Sequence, residues 1–325
     1  MITRIKDAVP QKIRKEQNKF FYLNLYNRLS RITIYSIFLV ICAGGFVRMT
    51  GSGMGCPDWP KCFGYWIPPT DISDLPINYK EIYAHRGYDQ LDFNVFNTWT
   101  EYINRLLGFV SGLLCLLLFG LSFLVRDKLL MLLSFILLII MGFQGWLGAV
   151  VVYSVLAPFK ITIHMLIAVL IIALVLLLFR ITSPQSRIYL LYNKWILWGL
   201  ILSIIQIILG TQVRENVDTY MHLYDRFVII SQLPVVFEIH RIMAWLVFII
   251  NSLILYYHRK YWYDFQELKY ILLIMFMLFI TGIIMTYYDL PGIAQLLHLI
   301  CAVSLFITQF SLLLKGYRLS IVSSP

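Results

Sequence analysis

Apolar residues in this chain neither alternate nor keep to one helical face. They come in long runs, each close to the length that crosses a bilayer. A helix rises about 1.5 Å per residue, so about 20 apolar residues span a hydrocarbon layer of ~30 Å with every backbone group satisfied within the segment. Runs of this kind predict eight transmembrane helices, over 32–50, 101–125, 129–152, 161–180, 195–213, 238–257, 270–288 and 292–314. Two long connections interrupt them. One runs from about Gly51 to Thr100 and holds Pro57, Pro60, Pro68, Pro69 and Pro76; the other covers 214–237. The first run stands far from the N-terminus and has a bulky far flank, so it reads as a retained helix and not as a cleaved leader.

Composition supports this reading and charge orients it. With 60% hydrophobic and 14% charged residues, a chain of 325 has too little charge to clothe a soluble core. The net charge of +10 would fit a nucleic-acid partner, but the positions of the charges argue otherwise. Arg4, Lys6, Lys12, Arg14, Lys15, Lys19, Arg28 and Arg31 crowd a basic segment over 1–31. Arg126 and Lys128, then Arg180, Arg187 and Lys194, then Arg259, Lys260 and Lys269, then Lys315 and Arg318 fall in alternate short connections. That bias places both termini in the cytoplasm, next to anionic lipid heads, with no nucleic acid involved. The two long loops then lie outside.

The two halves echo each other. Asn104-Arg105 corresponds to His240-Arg241 at an offset of 136, and His164 with Ala168-Val169 corresponds to His298 with Ala302-Val303 at 134. Arg48 pairs loosely with Arg214. Four helices per half preserve orientation, so the fold class expected is an all-α integral membrane bundle of eight helices from two parallel four-helix repeats. The halves cover 32–180, with the outer loop 51–100, and 195–314.

Ionisable residues inside apolar helices are candidates for function. His164, His240 and His298 each lie within about two turns of the outer end of a helix. A single such histidine is more often a helix–helix hydrogen bonder. A pair recurring with the repeat favours ligation, because two imidazoles facing across a bundle suit the axial positions of a haem iron. His85, His222 and His258 read as ordinary loop or interfacial residues. Glu101 opens the second predicted helix, one turn before Asn104. It reads either as a carboxylate at a helix start or as an acid or base beside a buried cofactor. Cys42, Cys115 and Cys301 read as small apolar residues. Cys56 and Cys62, in the outer loop, lead towards a disulfide, structural or redox-active; no second cysteine pair or adjacent histidine completes a metal site.

At this point the motifs resemble a known family. Gly44-Gly45-Phe46-Val47-Arg48-Met49-Thr50-Gly51-Ser52-Gly53, then Cys56-Pro57-Asp58-Trp59-Pro60 and Pro68-Pro69, resemble the first-helix signature of the haem A synthases. Glu101-Tyr102 with Arg105 and Gly108, Gln144-Gly145 with Gly148, Leu209-Gly210-Thr211 with Val213-Arg214, and His240-Arg241 follow in the family's order. The paired loop cysteines resemble the bacterial branch, which implies the cytoplasmic (inner) membrane. The resemblance implies an enzyme that oxidises the C8 methyl of haem O to a formyl group, giving haem A for terminal oxidases. It implies a haem b on His240 and His298, and the substrate haem near Glu101 and His164. Its partners would be a haem O synthase that delivers haem O, a separate electron donor, and in some cases a second copy. Asn104 departs from the pattern, which has histidine there, so the substrate haem has one evident axial ligand. A membrane cytochrome b that carries electrons without modifying haem is the alternative. Glu101 and the structured loop favour the enzyme.

Overall fold

The computed structural model describes residues 11–153, 159–184, 193–221, 223–225 and 228–317. Eight long helices dominate it: α1 Gln11–Met49, α2 Val95–Val125, α3 Lys128–Tyr153, α4 Lys160–Thr182, α5 Asn193–Tyr220, α6 Val235–His258, α7 Gln266–Tyr287 and α8 Gly292–Lys315. All eight contain a stretch long and apolar enough to cross a membrane. Their outward faces carry large apolar side chains, such as Leu113, Leu116, Leu117 and Phe123 on α2 and Ile242, Trp245, Leu246 and Ile249 on α6. Water would penalise such a surface and acyl chains do not, so the chain is an all-α integral membrane bundle.

Three helices outrun the apolar pattern. The basic segment expected to stand apart is helical from Gln11 and continuous with α1. Its Leu23, Tyr26 and Ser30 are buried, with the Tyr26 hydroxyl 2.7 Å from Ser134 Oγ on α3. The second helix starts at Val95, where the Asn94 side chain accepts from Asn97 N–H at 3.0 Å. A capping side chain of this kind starts a helix in polar sequence, so Glu101 lies in its second turn and does not open it. α5 continues to Tyr220 through Arg214, Glu215 and Asp218, charges that read as loop but bond to neighbouring elements.

Packing order is the same in both halves. α1 touches α2 and α4, with α3 between them; α5 touches α6 and α8, with α7 between them. Each set therefore closes a four-helix ring, with α2 and α4 on one diagonal and α6 and α8 on the other. The rings meet where α1 and α4 contact α8 and where α4 contacts α5. One apolar core fills the first ring and continues onto α8 through Val303 and Phe306; a second lies among Ile196, Val247, Ile254, Ile271 and Leu305.

The connection between α1 and α2 is folded. Phe63 sits at its centre, ringed edge-on by Tyr79, Tyr83, Tyr88 and Phe93 at 5.6–6.1 Å. Cys56 and Cys62 are fully buried in this small core and form a disulfide. The end of the bundle that this loop covers is called the loop end below.

Candidate functional site

Four polar side chains occupy the two diagonals near the loop end: Asn104 (α2) and His164 (α4), then His240 (α6) and His298 (α8). Each faces a glycine on a neighbouring helix. An ideal Cβ at Gly44 would lie 3.9 Å from Asn104 Oδ1, and one at Gly148 3.6 Å from His164 Cε1. At Gly210 it would lie 3.3 Å from His240 Cε1, and at Gly282 3.8 Å from His298 Cε1. The neighbouring helix thus presents bare backbone wherever one of these side chains needs room.

In the second ring the imidazoles of His240 and His298 stand with centroids 6.3 Å apart and planes at 62°. Two imidazoles bound to opposite sides of one metal, at about 2.0–2.1 Å per bond, place their centroids roughly 6 Å apart. The Thr281 hydroxyl lies 2.8 Å from Met277 O and 2.8 Å from His298 Nδ1. A hydroxyl has one hydrogen; with that given to Met277 O, Nδ1 donates to the oxygen and Nε2 keeps its lone pair. Gln206 donates to the His240 backbone carbonyl at 3.0 Å, fixing the histidine from behind.

The first ring repeats part of this scheme. Gln144 donates to the His164 carbonyl at 3.0 Å. Both glutamines belong to a Gln-x-x-Leu-Gly stretch, at 144–148 and 206–210, whose glycine is the one beside the histidine ring. Neither Gln206 nor Thr281 stands out in the sequence by type; the recurrence of this five-residue pattern is the signal that locates Gln206. Asn104 Oδ1, Gln144 Oε1, His164 Nδ1, Gln206 Oε1 and His240 Nδ1 are all buried without a hydrogen-bond partner. Buried polar atoms are almost always partnered, so these five, on and beside the two diagonals, could meet a polar or metal-bearing ligand. Among the described residues no group of three or more His, Cys, Asp and Glu side chains forms a metal site. Histidines set singly across a diagonal could supply axial ligation to a metal whose equatorial ligands come with the ligand itself, as in a haem.

Glu101 lies one turn from Asn104 and is turned towards the loop. Its Oε2 accepts the N–H groups of Gly55 at 2.7 Å and Cys56 at 3.0 Å; Oε1 accepts Arg105 Nη2 at 2.5 Å and Nε at 3.2 Å. Four donors fill the four lone-pair sites of the carboxylate. Arg105 spends its remaining hydrogens on the carbonyls of Asp58 at 2.6 Å, Lys61 at 3.0 Å and Cys56 at 3.2 Å. This buried pair therefore clamps both arms of the disulfide loop onto α2. The close approach requires glycine at 55, where a Cβ would fall 2.3 Å from Asn97 O.

The other histidines lie elsewhere. His85 is exposed in the loop, and His222 lies outside the described residues. His258 is the last residue of α6, buried against neighbouring helices, with Nδ1 2.8 Å from Ile254 O. Arg48 and Arg214, which correspond loosely in sequence, meet on one carboxylate. Arg48 reaches Asp218 Oδ2 at 2.6 Å and Arg214 reaches its Oδ1 at 2.7 Å, tying α1 to α5.

Comparison with known proteins places this architecture. Residues 27–310 match the family model COX15-CtaA, described as cytochrome oxidase assembly protein. A haem A synthase of Shewanella oneidensis is 35% identical over 157 residues, a match that spans 48% of this chain and 46% of that protein. Haem A synthases of Rickettsia prowazekii and Rickettsia africae are each 24% identical, over 87% and 84% of this chain and 95% and 93% of theirs. With the family pattern running from the first membrane helix into the last, the chain belongs to the COX15-CtaA family of cytochrome oxidase assembly proteins, the haem A synthase family.

Proposed function

We propose that this protein is a haem A synthase that oxidises the C8 methyl of haem O to the formyl group of haem A. The observation that carries the reading is the pair of glycine-flanked diagonals, one with two histidines and one with a single histidine, in a chain of this family. Residues 195–314 form the half that holds haem b, and residues 32–180 the half that takes the substrate haem. The loop end faces outward and both termini face the cytoplasm, in the bacterial inner membrane, as the charge bias supports.

His240 and His298 would hold a haem b, which would supply one-electron chemistry. Thr281 and Gln206 hold the two ligands in place. In the first half His164 would supply the one histidine nitrogen to the substrate haem, and Asn104, across the same diagonal, would offer an amide. The substrate comes from the class of enzyme that makes haem O, and electrons are exchanged with a separate donor. Glu101, expected as an acid or base, acts here through the loop: its four hydrogen bonds hold the disulfide platform one turn from Asn104. It is a positioning residue.

The test is expression in a host that makes haem O but no haem A, followed by chromatography and mass measurement of extracted haems. Haem A is expected with the wild type and absent with His164→Ala. A wild type that binds haem b yet leaves haem O unchanged would overturn the enzyme reading in favour of an electron carrier.

A further inference from the structure

Three polar side chains in the second ring form a network that the site above does not use. Gln309 on α8 donates from Nε2 to Asn251 Oδ1 on α6 at 2.9 Å and accepts from Ser203 Oγ on α5 at 2.9 Å. Asn251 donates in turn to Val247 O at 2.8 Å. Asn251 and Gln309 are fully buried and Ser203 nearly so, so these bonds have no competition from water. The network joins α6 to α8 directly across the ring, and Ile254 and Gln309 press on Gly199 at 2.9 and 3.1 Å from an ideal Cβ.

Its register is what gives it meaning. Asn251 follows His240 by eleven residues, and Gln309 follows His298 by eleven. Eleven residues make about three helical turns, so each amide falls within about 20° of its histidine's face and roughly 16 Å along the helix. The amides that touch and the imidazoles that leave a gap are thus on the same two faces of the same two helices. A helix is stiff over three turns, so a bond fixing the α6–α8 separation at one level constrains it at the other.

Among the described residues no side-chain bond joins α2 to α4; the first ring's bonds Tyr26–Ser134 and Ser36–Ser111 tie α1 to α3 and α1 to α2 and leave the ligand-bearing diagonal unbraced. Eleven residues after Asn104 and His164 come Cys115 and Val175, and Ile37 stands seven before Gly44, as Ser203 stands seven before Gly210. All three are buried in the apolar core. Apolar contacts are non-directional and set no unique spacing. The two rings therefore share a ligand-bearing diagonal and differ in what locks it.

We infer that Ser203, Gln309 and Asn251 are positioning residues that fix the His240–His298 spacing, making the second ring a retaining haem site and leaving the first ring free to take up and release its haem. This rests on the assignment of His240 and His298 as haem ligands. A synthase must keep one haem through many turnovers and exchange the other at each, and the brace distinguishes the two sites.

The test compares purified wild type with Asn251→Leu/Gln309→Leu, which removes both amides together and leaves only the Ser203 hydroxyl without its partner. Transfer of haem to excess apomyoglobin is followed together with the ferric low-spin resonance signal and the midpoint potential. In the double variant, haem loss about tenfold faster or more, with a broadened or shifted low-spin signal, is expected. Ser203→Ala, which cuts one bond, should lie between the two and serves where the double variant does not insert. Cys115→Asn/Val175→Gln should slow release of haem O from the first ring while leaving the second-ring signal unchanged. A double variant that inserts normally and keeps wild-type transfer rate, signal and potential overturns the inference, as does an unchanged Ser203→Ala where that variant alone is available. Wild type without a bis-histidine signal would instead refute the ligand assignment beneath it.

Discussion

At the scale of single residues, the site depends on what stands behind each ligand. Thr281 accepts from His298 Nδ1 and so selects the tautomer that keeps Nε2 free. Thr281→Val keeps the shape and removes the acceptor. Haem affinity should fall by about tenfold, the low end of what such supporting bonds contribute, read by titration of the apoprotein. Gly210 offers a sharper case. Glycine to alanine in a helix is ordinarily worth about 0.5–1 kcal/mol in favour of alanine, but a Cβ at 3.3 Å must displace the His240 ring. Gly210→Ala should therefore raise helix stability while degrading the low-spin spectrum, and an unperturbed spectrum would show that the ring has slack. The histidines were legible in the sequence because ionisable groups are rare in apolar helices. Thr281 was not, since one hydroxyl among many carries no mark until a ring is found beside it; Gln206 is marked only by the recurrence of the Gln-x-x-Leu-Gly stretch.

Among elements, the loop between α1 and α2 is held twice. The disulfide closes a short ring of chain, worth about 2 kcal/mol in the chain-entropy picture. The Glu101–Arg105 pair grips both arms of the same loop through five backbone groups. Cys56→Ser/Cys62→Ser should thus leave haem b bound and lower haem A yield only in part. Arg105→Leu should do more, because it strands a buried carboxylate at a cost of about 3–5 kcal/mol. Hydrogen exchange at the Gly55 and Cys56 amides should quicken far more in Arg105→Leu than in the cysteine variant; the reverse order would make the disulfide the principal tie. The disulfide was the leading reading of two cysteines in an outward loop. The clamp was not legible, because Glu101 was read at the start of a helix that in fact begins at Val95, behind an Asn94 cap and polar sequence that hydropathy passes over.

For the whole molecule, eight spans and their order followed from run length alone, since hydrocarbon admits few alternatives. The ends did not, because Arg214, Glu215 and Asp218 read as loop until Arg48 is brought beside them. Asp218→Asn should loosen the junction of α1 with α5, lowering the melting temperature by a few degrees for a loss of ~1 kcal/mol, given that the pair is partly exposed. Haem b should remain bound. The two rings share a packing order yet differ at 104 and 240, and the proposed division of roles between them rests on that difference. The measurement that tests it most directly is electron paramagnetic resonance of the ferric wild type loaded with haem O. One low-spin bis-histidine signal is expected, lost in His240→Ala and His298→Ala, with one high-spin signal that Asn104→His converts to low spin. Two low-spin signals in the loaded wild type would contradict it.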